Sequence, residues 1–176
     1  MQQRPPIHLE DGVEYLGPAG SHSEEVVGAV RNCQMFENFN DTELGTIAHY
    51  LHYFKAPVGT VLLREGHEGG YLLIIVKGKV VARKKNLHGE NTTIGMAGPG
   101  EVVGEMSMID NEPRFATCLA TEETHFGVLM CTDYYELTAL HPRVANKFMI
   151  MLLQMVVGRL RGANLRLVAS LDELNV

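Results

Sequence analysis

The chain has 176 residues, enough for one domain with a substantial core, and its 45% hydrophobic and 20% charged content is ordinary for a globular protein. Fifteen Lys and Arg against 21 Asp and Glu leave a net charge of −6. That balance excludes a broadly basic nucleic-acid-binding surface.

Residues 1–21 are rich in Pro, Gly and polar residues and read as a flexible N-terminal arm. They contain no apolar core of a signal peptide. Residues 22–54 read as N-terminal helices. Ser21 or Ser23 is placed to cap the first, through Val26, Val27, Ala29 and Val30. Asn40 or Asp41 starts the second, with Glu43 in its first turn and Leu44, Ile47, Ala48 and Leu51 at helical spacing.

From Lys55 the period changes. Short runs rich in Val, Ile, Leu and Thr alternate with glycine turns: 58–64, 71–76, 79–85, 91–96, 101–103, 114–121 and 124–130. This spacing predicts a β-barrel over 55–131, mainly β with flanking helices, of the double-stranded β-helix or jelly-roll kind. Lys77, Lys79, Arg83, Lys84 and Lys85 gather on one predicted hairpin and read as a solvated edge guarded by cations. Residues 132–176 read as C-terminal helices. The first starts at Thr132-Asp133 and is broken at His141-Pro142; a long one follows from Arg143 to about Arg166. That helix carries two apolar stripes, one through Val144, Phe148, Met151, Leu152, Met155 and Arg159, the other through Met149, Leu153, Val156, Val157, Leu160 and Asn164. One stripe covers the barrel, and the other calls for a partner, most simply a second copy in a twofold dimer. The uninterrupted apolar run Phe148–Leu153 is too short to span a membrane.

The stretch 100–120, GEVVGEMSMIDNEPRFATCLA, carries the chemistry. Gly104 lets backbone approach a ligand closely. A helical turn from Glu105 through Met106 and Ser107 would offer N–H groups with no intrahelical partner, which favour an anion. Arg114 supplies a planar fork for phosphate oxygens, and an ionised Glu105 accepts from a sugar hydroxyl. One Arg plus backbone donors suits a phosphodiester, and the triphosphate-binding GxxxxGK[ST] pattern is absent. The same residues also allow a plain turn glycine and an exposed Glu105–Arg114 ion pair worth under about 1 kcal/mol.

Gly104-Glu105, an apolar triplet, a turn and Pro113-Arg114-Phe115-Ala116-Thr117 resemble the phosphate-binding cassette of cyclic-nucleotide-binding domains. The family includes catabolite activator proteins, regulatory subunits of cAMP-dependent protein kinase and cyclic-nucleotide-gated channels. Pro57-x-Gly59, Arg64-Glu65-Gly66 and 71–78 resemble its first strands and turns, so the likeness runs from about Phe36 to Arg161. The resemblance implies that Glu105 takes the ribose 2′-hydroxyl and Arg114 the cyclic phosphate, with Gly104, Met106, Ser107, Phe115 and Ala116 completing the site. It places the C-terminal helix over the base, with Gln154, Arg161 and Asn164 as the polar candidates for contacting a purine. It also implies a non-catalytic sensor, cAMP favoured over cGMP, with no further cofactor and with signalling through a change at the C-terminal helix. Phe115 stands where the family has a small residue. It motivates the alternative of a fold kept for protein interaction with no nucleotide bound.

Other chemistries find no pattern. Cys33, Cys118 and Cys131 form no CxxC pair, which fits a reducing cytoplasm. There is no His-x-His pair of the cupin kind, so no metal is expected, and Ser107 has no paired base, so no catalytic residue is assigned. Only LVASLDELNV follows Arg166, too little for a helix-turn-helix, so no DNA contact is expected. No membrane contact is expected either, and the downstream protein partner is not named by any feature.

Overall fold

The computed structural model describes Ile7, Leu9, 12–31 and 33–174, with nothing stated of the side chains of 173 and 174. Among the described residues, nine strands form two antiparallel sheets. They are β1 (Glu14–Pro18), β2 (His52–Ala56), β3 (Val61–Leu63), β4 (Tyr71–Lys77), β5 (Val80–Lys85), β6 (Asn91–Ala97), β7 (Val102–Val103), β8 (Thr117–Ala120) and β9 (Thr124–Met130). One sheet has the order β1-β2-β9-β4-β7 and the other β3-β8-β5-β6. Five α-helices among the described residues flank them: α1 (Ser23–Arg31), α2 (Asp41–His49), α3 (Glu105–Asp110), α4 (Cys131–Leu140) and α5 (Pro142–Leu174). The strand spacing thus gives the expected double-stranded β-helix class with flanking helices.

Strand β4 shows how the layers arise. Side chains alternate across a strand. Leu73 and Ile75 therefore point between the sheets, where they meet Phe54, Val103, Phe126 and Val128. Leu72, Ile74 and Val76 point the other way, into a second core with Val26, Phe36, Leu44 and Phe148 from the helices. A strand buried on both faces needs an unbroken apolar run, and YLLIIV supplies it. Strand β6 is the opposite case, exposed along its length except at Ala97.

Two boundaries differ from the sequence reading. Residues 14–18, expected in the flexible arm, pair with β2 as an edge strand, and Val13 and Ala19 beside them are buried. The amphipathic signal of this strand is hidden by Gly17 and Pro18, and Pro is tolerated at an edge. The rest of the arm, residues 1–6, 8, 10 and 11, lies outside the described residues. The helical segment expected to reach residue 54 ends at His49. His52–Ala56 is a strand, held by pairing to both β1 and β9.

Helix α2 opens on a capping box: the Asn40 side chain accepts from the Glu43 N–H, and the Glu43 carboxylate accepts from the Asn40 N–H, both at 2.9 Å. Glu43 also accepts from Lys147 of α5 at 2.6 Å, and the two bonds, that to Lys147 first, hold its carboxyl below the usual range. Asn40→Ala is expected to lower stability by about 1 kcal/mol, read as a shift in the urea midpoint with unchanged slope.

Helix α4 begins at Cys131, just before the predicted Thr132-Asp133 start. Helix α5 starts at Pro142, where the missing N–H costs nothing, and runs beyond the expected Arg166 to Leu174. Ala145, Phe148, Met151 and Leu152 are buried, with Val144 and Met155 packed beside them, so the first of the two predicted stripes faces the protein. The second does not: Leu153, Val157 and Leu160 are 49%, 46% and 59% exposed. By length and composition alone, Pro142–Asp172 is also sufficient to cross a membrane, a longer stretch than the short run weighed from sequence.

Candidate functional site

The site begins where β7 ends. Gly104 takes φ 80°, a left-handed conformation costly for any residue with a Cβ, and starts α3 with no side-chain cap. The first N–H groups of α3 are therefore open. Asn111, φ 59°, closes the helix, and the chain returns as Arg114. The Arg114 backbone is fixed by two bonds to the loop after β3: its N–H donates to His67 at 2.8 Å and its carbonyl accepts from Gly66 at 2.9 Å.

Arg114 is 3% exposed. Its Nη1 donates to the Gly104 carbonyl at 2.7 Å, and its guanidinium lies 4.3 Å from the centre of the Tyr71 ring. Its Nη2 is buried with no hydrogen-bond partner among the described residues. Burial pulls the Arg114 pKa down from its ordinary high value, with Tyr71, Cys118 and Glu105 opposing. A buried, charged donor left open is costly unless an acceptor completes it. Space for the guanidinium is cut by two glycines. A Cβ on Gly69 would lie 2.2 Å from Arg114 Cζ, and one on Gly104 2.8 Å from its Nη1.

Glu105 and Ser107 are likewise buried, at 2% and 3% exposure. Glu105 does not pair with Arg114. Its Oε1 accepts from Arg159 Nη1 of α5 at 2.5 Å, while Arg159 Nη2 donates to the Val102 carbonyl at 2.6 Å. This overturns the reading of Glu105 and Arg114 as an exposed ion pair. It also adds a residue that sequence reasoning placed only in an apolar stripe. The signal available was a lone Arg in that inward-facing stripe. Burial pushes the thiol of Cys118, beneath the site, up to about 11.

Phe115 does not pack in the barrel. It is 52% exposed, and Lys84 Nζ sits 4.6 Å from its ring centre while donating to Glu65 at 2.7 Å. Met106 is 43% exposed, and Ala116 is half-buried just before β8.

Gln154, Arg161 and Asn164 are all exposed. At 100° per residue they lie about 140°, 160° and 140° around α5 from Arg159, so they are turned away from this chain's own cassette. The α5 face that meets the site instead carries Arg159 and, about 10 Å further along, Arg166. Arg166 and strand β6, through Thr93, Ile94, Gly95 and Met96, line an open cleft of about 430 Å³, within the range of small-molecule sites. A separate cavity of about 90 Å³, lined by His49, Tyr50, Leu51, His52, Asp133 and Glu136, is too small for a nucleotide. Among the described residues, no group of three or more His, Cys, Asp and Glu is arranged to hold a metal.

Residues 54–139 match the cyclic nucleotide-binding domain as a family. A solved cyclic nucleotide-binding domain from Methylobacillus flagellatus is 36% identical, with a TM-score of 0.80 over 90% of this chain and 89% of that one. The chain belongs to the cyclic nucleotide-binding domain family. The Cyclic AMP receptor protein of Thermus thermophilus is 30% identical over 78% of this chain and 62% of its own length. A cAMP-dependent protein kinase regulatory subunit of Yarrowia lipolytica is 27% identical over 63% of this chain and 28% of its own. The chain thus spans less than two thirds of these curated relatives.

In a cyclic nucleotide-binding domain the space around Arg114 is the quantity to perturb. Gly69→Ala forces the guanidinium to shift, and overpacking of this kind costs about 1–3 kcal/mol. The melting temperature is expected to fall by roughly 2–12 °C, read in a thermal melt beside wild type. An unchanged melting temperature would show that Arg114 accommodates the methyl elsewhere.

Proposed function

We propose that this chain is a non-catalytic cyclic-nucleotide sensor in which Arg114 receives the cyclic phosphate and Glu105 the ribose 2′-hydroxyl. The observation that carries this reading is the buried Nη2 of Arg114, open beside the uncapped start of α3. An anion there would complete the donor and oppose the pull of burial. Gly104, Met106, Ser107, Phe115 and Ala116 contribute backbone around it. cAMP is favoured over cGMP, on the support of relatives whose names specify cyclic AMP. Three free cysteines suit a reducing cytoplasm, and a net charge of −6 gives no support to DNA contact.

Output passes through α5. Arg159 ties that helix to Glu105, the carboxylate the ribose would use. A 2′-hydroxyl arriving at Glu105 competes with or reorients Arg159, and the two states of α5 shift by the ligand's differential affinity for them. The exposed face of α5 then presents the change to a second copy or a downstream protein.

Calorimetric titration with cAMP and then cGMP tests the reading. Saturable one-to-one binding is expected. Silence with both, from folded protein, would leave the fold as an interaction module without nucleotide. Coupling is tested by Arg159→Ala, which is expected to bind cAMP within about tenfold of wild type yet lose the ligand-dependent change in hydrogen exchange along 153–172. The same exchange response in both proteins would remove Arg159 from the pathway.

A further inference from the structure

The segment between β3 and the start of β4 holds Arg114 by its backbone and by its side chain. Gly66 and His67 take the backbone carbonyl and N–H of Arg114. Gly69 and Tyr71 take the guanidinium. Gly69 leaves out the side chain that would collide with it, since a Cβ there would lie 2.2 Å from Arg114 Nε as well as from Cζ. Tyr71, the first residue of β4, is 8% exposed, and Arg114 Cζ lies over its ring, 4.3 Å from the centre. The sequence marks this segment only as a glycine turn leading into a strand.

The kind of contact matters as much as its presence. A buried guanidinium needs a counterpart. A carboxylate would supply one, but it is an acceptor and pairs with Arg through two N–H groups at once. The buried carboxylate of the site, Glu105, is taken by Arg159 instead. An aromatic face attracts a cation through its quadrupole, and more strongly when both are out of water. It steadies the guanidinium from one side and leaves the ends of the fork to other partners. Nη1 goes to the Gly104 carbonyl, and Nη2 stays buried and open. Burial lowers the Arg114 pKa, and Tyr71 works against that fall. We propose that Tyr71 is a positioning residue of the phosphate site: its ring holds the Arg114 guanidinium in place while Nη2 is left without an acceptor, free for a phosphate oxygen. The placement is a property of the protein alone; its use for a phosphate rests on the sensor reading.

The test has two arms, both on the full chain. The first needs no nucleotide. An aromatic ring displaces the NMR signals of groups held over its face. In arginine-labelled protein the Arg114 guanidinium signals, assigned by their disappearance in Arg114→Met, are expected upfield of those of the other arginines. The displacement is expected to survive in Tyr71→Phe and to vanish in Tyr71→Leu. Leu keeps an apolar side chain opposite Met130 of β9, so that variant is expected to melt close to wild type. The second arm titrates the same proteins with cAMP. Tyr71→Leu is expected to bind about ten- to thirtyfold more weakly, and Tyr71→Phe within about threefold of wild type. Rescue by a bare ring marks the aromatic face, and not core filling, as the cause. Undisplaced Arg114 signals in wild type overturn the inference. So does a displacement or an affinity that Tyr71→Leu leaves unchanged, or a loss of affinity that Tyr71→Phe shows in full. Silence of wild type toward cAMP, with the displacement present and lost in Tyr71→Leu, supports the placement and overturns the sensor reading alone.

Discussion

Arg114→Ala is expected to lower affinity for cAMP by about a hundredfold to ten-thousandfold. The guanidinium would lose at least two charge-assisted hydrogen bonds to the phosphate, each worth about 1.5–3 kcal/mol, and every 1.4 kcal/mol is about tenfold. The fold should survive. Among the described residues the Arg114 side chain donates to the Gly104 carbonyl and stacks on Tyr71, while its other terminal nitrogen has no hydrogen-bond partner. The backbone bonds that position it, to Gly66 and His67, do not depend on the side chain. Titration of wild type and variant, with a melt to confirm folding, decides the matter: unchanged affinity would remove Arg114 from the site. Glu105→Gln separates the second contact. It keeps the shape, weakens the bond to Arg159, and should matter far less toward a 2′-deoxy analogue than toward cAMP.

Phe148→Ala is the largest stability change expected. Phe148 is fully buried and is the centre of the α5 contact with the helical core. Its ring lies 6.4 Å from that of Tyr134 in α4, so it also joins the two C-terminal helices. Removing a buried Phe costs about 3–5 kcal/mol through lost transfer energy and a residual cavity. For a domain of this size that is a fall in melting temperature of roughly 6–20 °C. Because α5 is held to the protein mainly before residue 153, the variant should also loosen Arg159 from Glu105. A loss under 1 kcal/mol would mean the site collapses freely and that α5 is anchored elsewhere.

The barrel was legible because its signals are local. Glycine turns bound runs of β-branched residues, and strand 124–130 has the limits the sequence suggested. The start of α2 was legible to within one residue, Asn40 or Asp41, for the same reason, and Asn40 is the cap. Strands β1 and β2 were not: Glu14–Pro18 carries Gly17 and Pro18, and its extended shape comes from pairing with β2, a neighbour distant in sequence. At the site, Gly104, Glu105 and Arg114 announce themselves by type and spacing. Their burial, which turns a surface ion pair into an open buried cation, depends on Leu63 and Tyr71 arriving from other strands and Gly69 from the loop between them. Arg159 belongs to the same class of unreadable feature, since its partner lies 54 positions away. The two stripes of α5 were visible as stripes; which one faces the protein required the fold.

The unfilled nitrogen of Arg114 has an outcome for anyone improving this protein. A buried cation without its acceptor is a weak point, and apolar replacements of buried charges are often neutral or stabilising. Arg114→Met would therefore be enriched by a screen that rewards only heat resistance. The winner of such a screen would be a tougher barrel that no longer hears its signal.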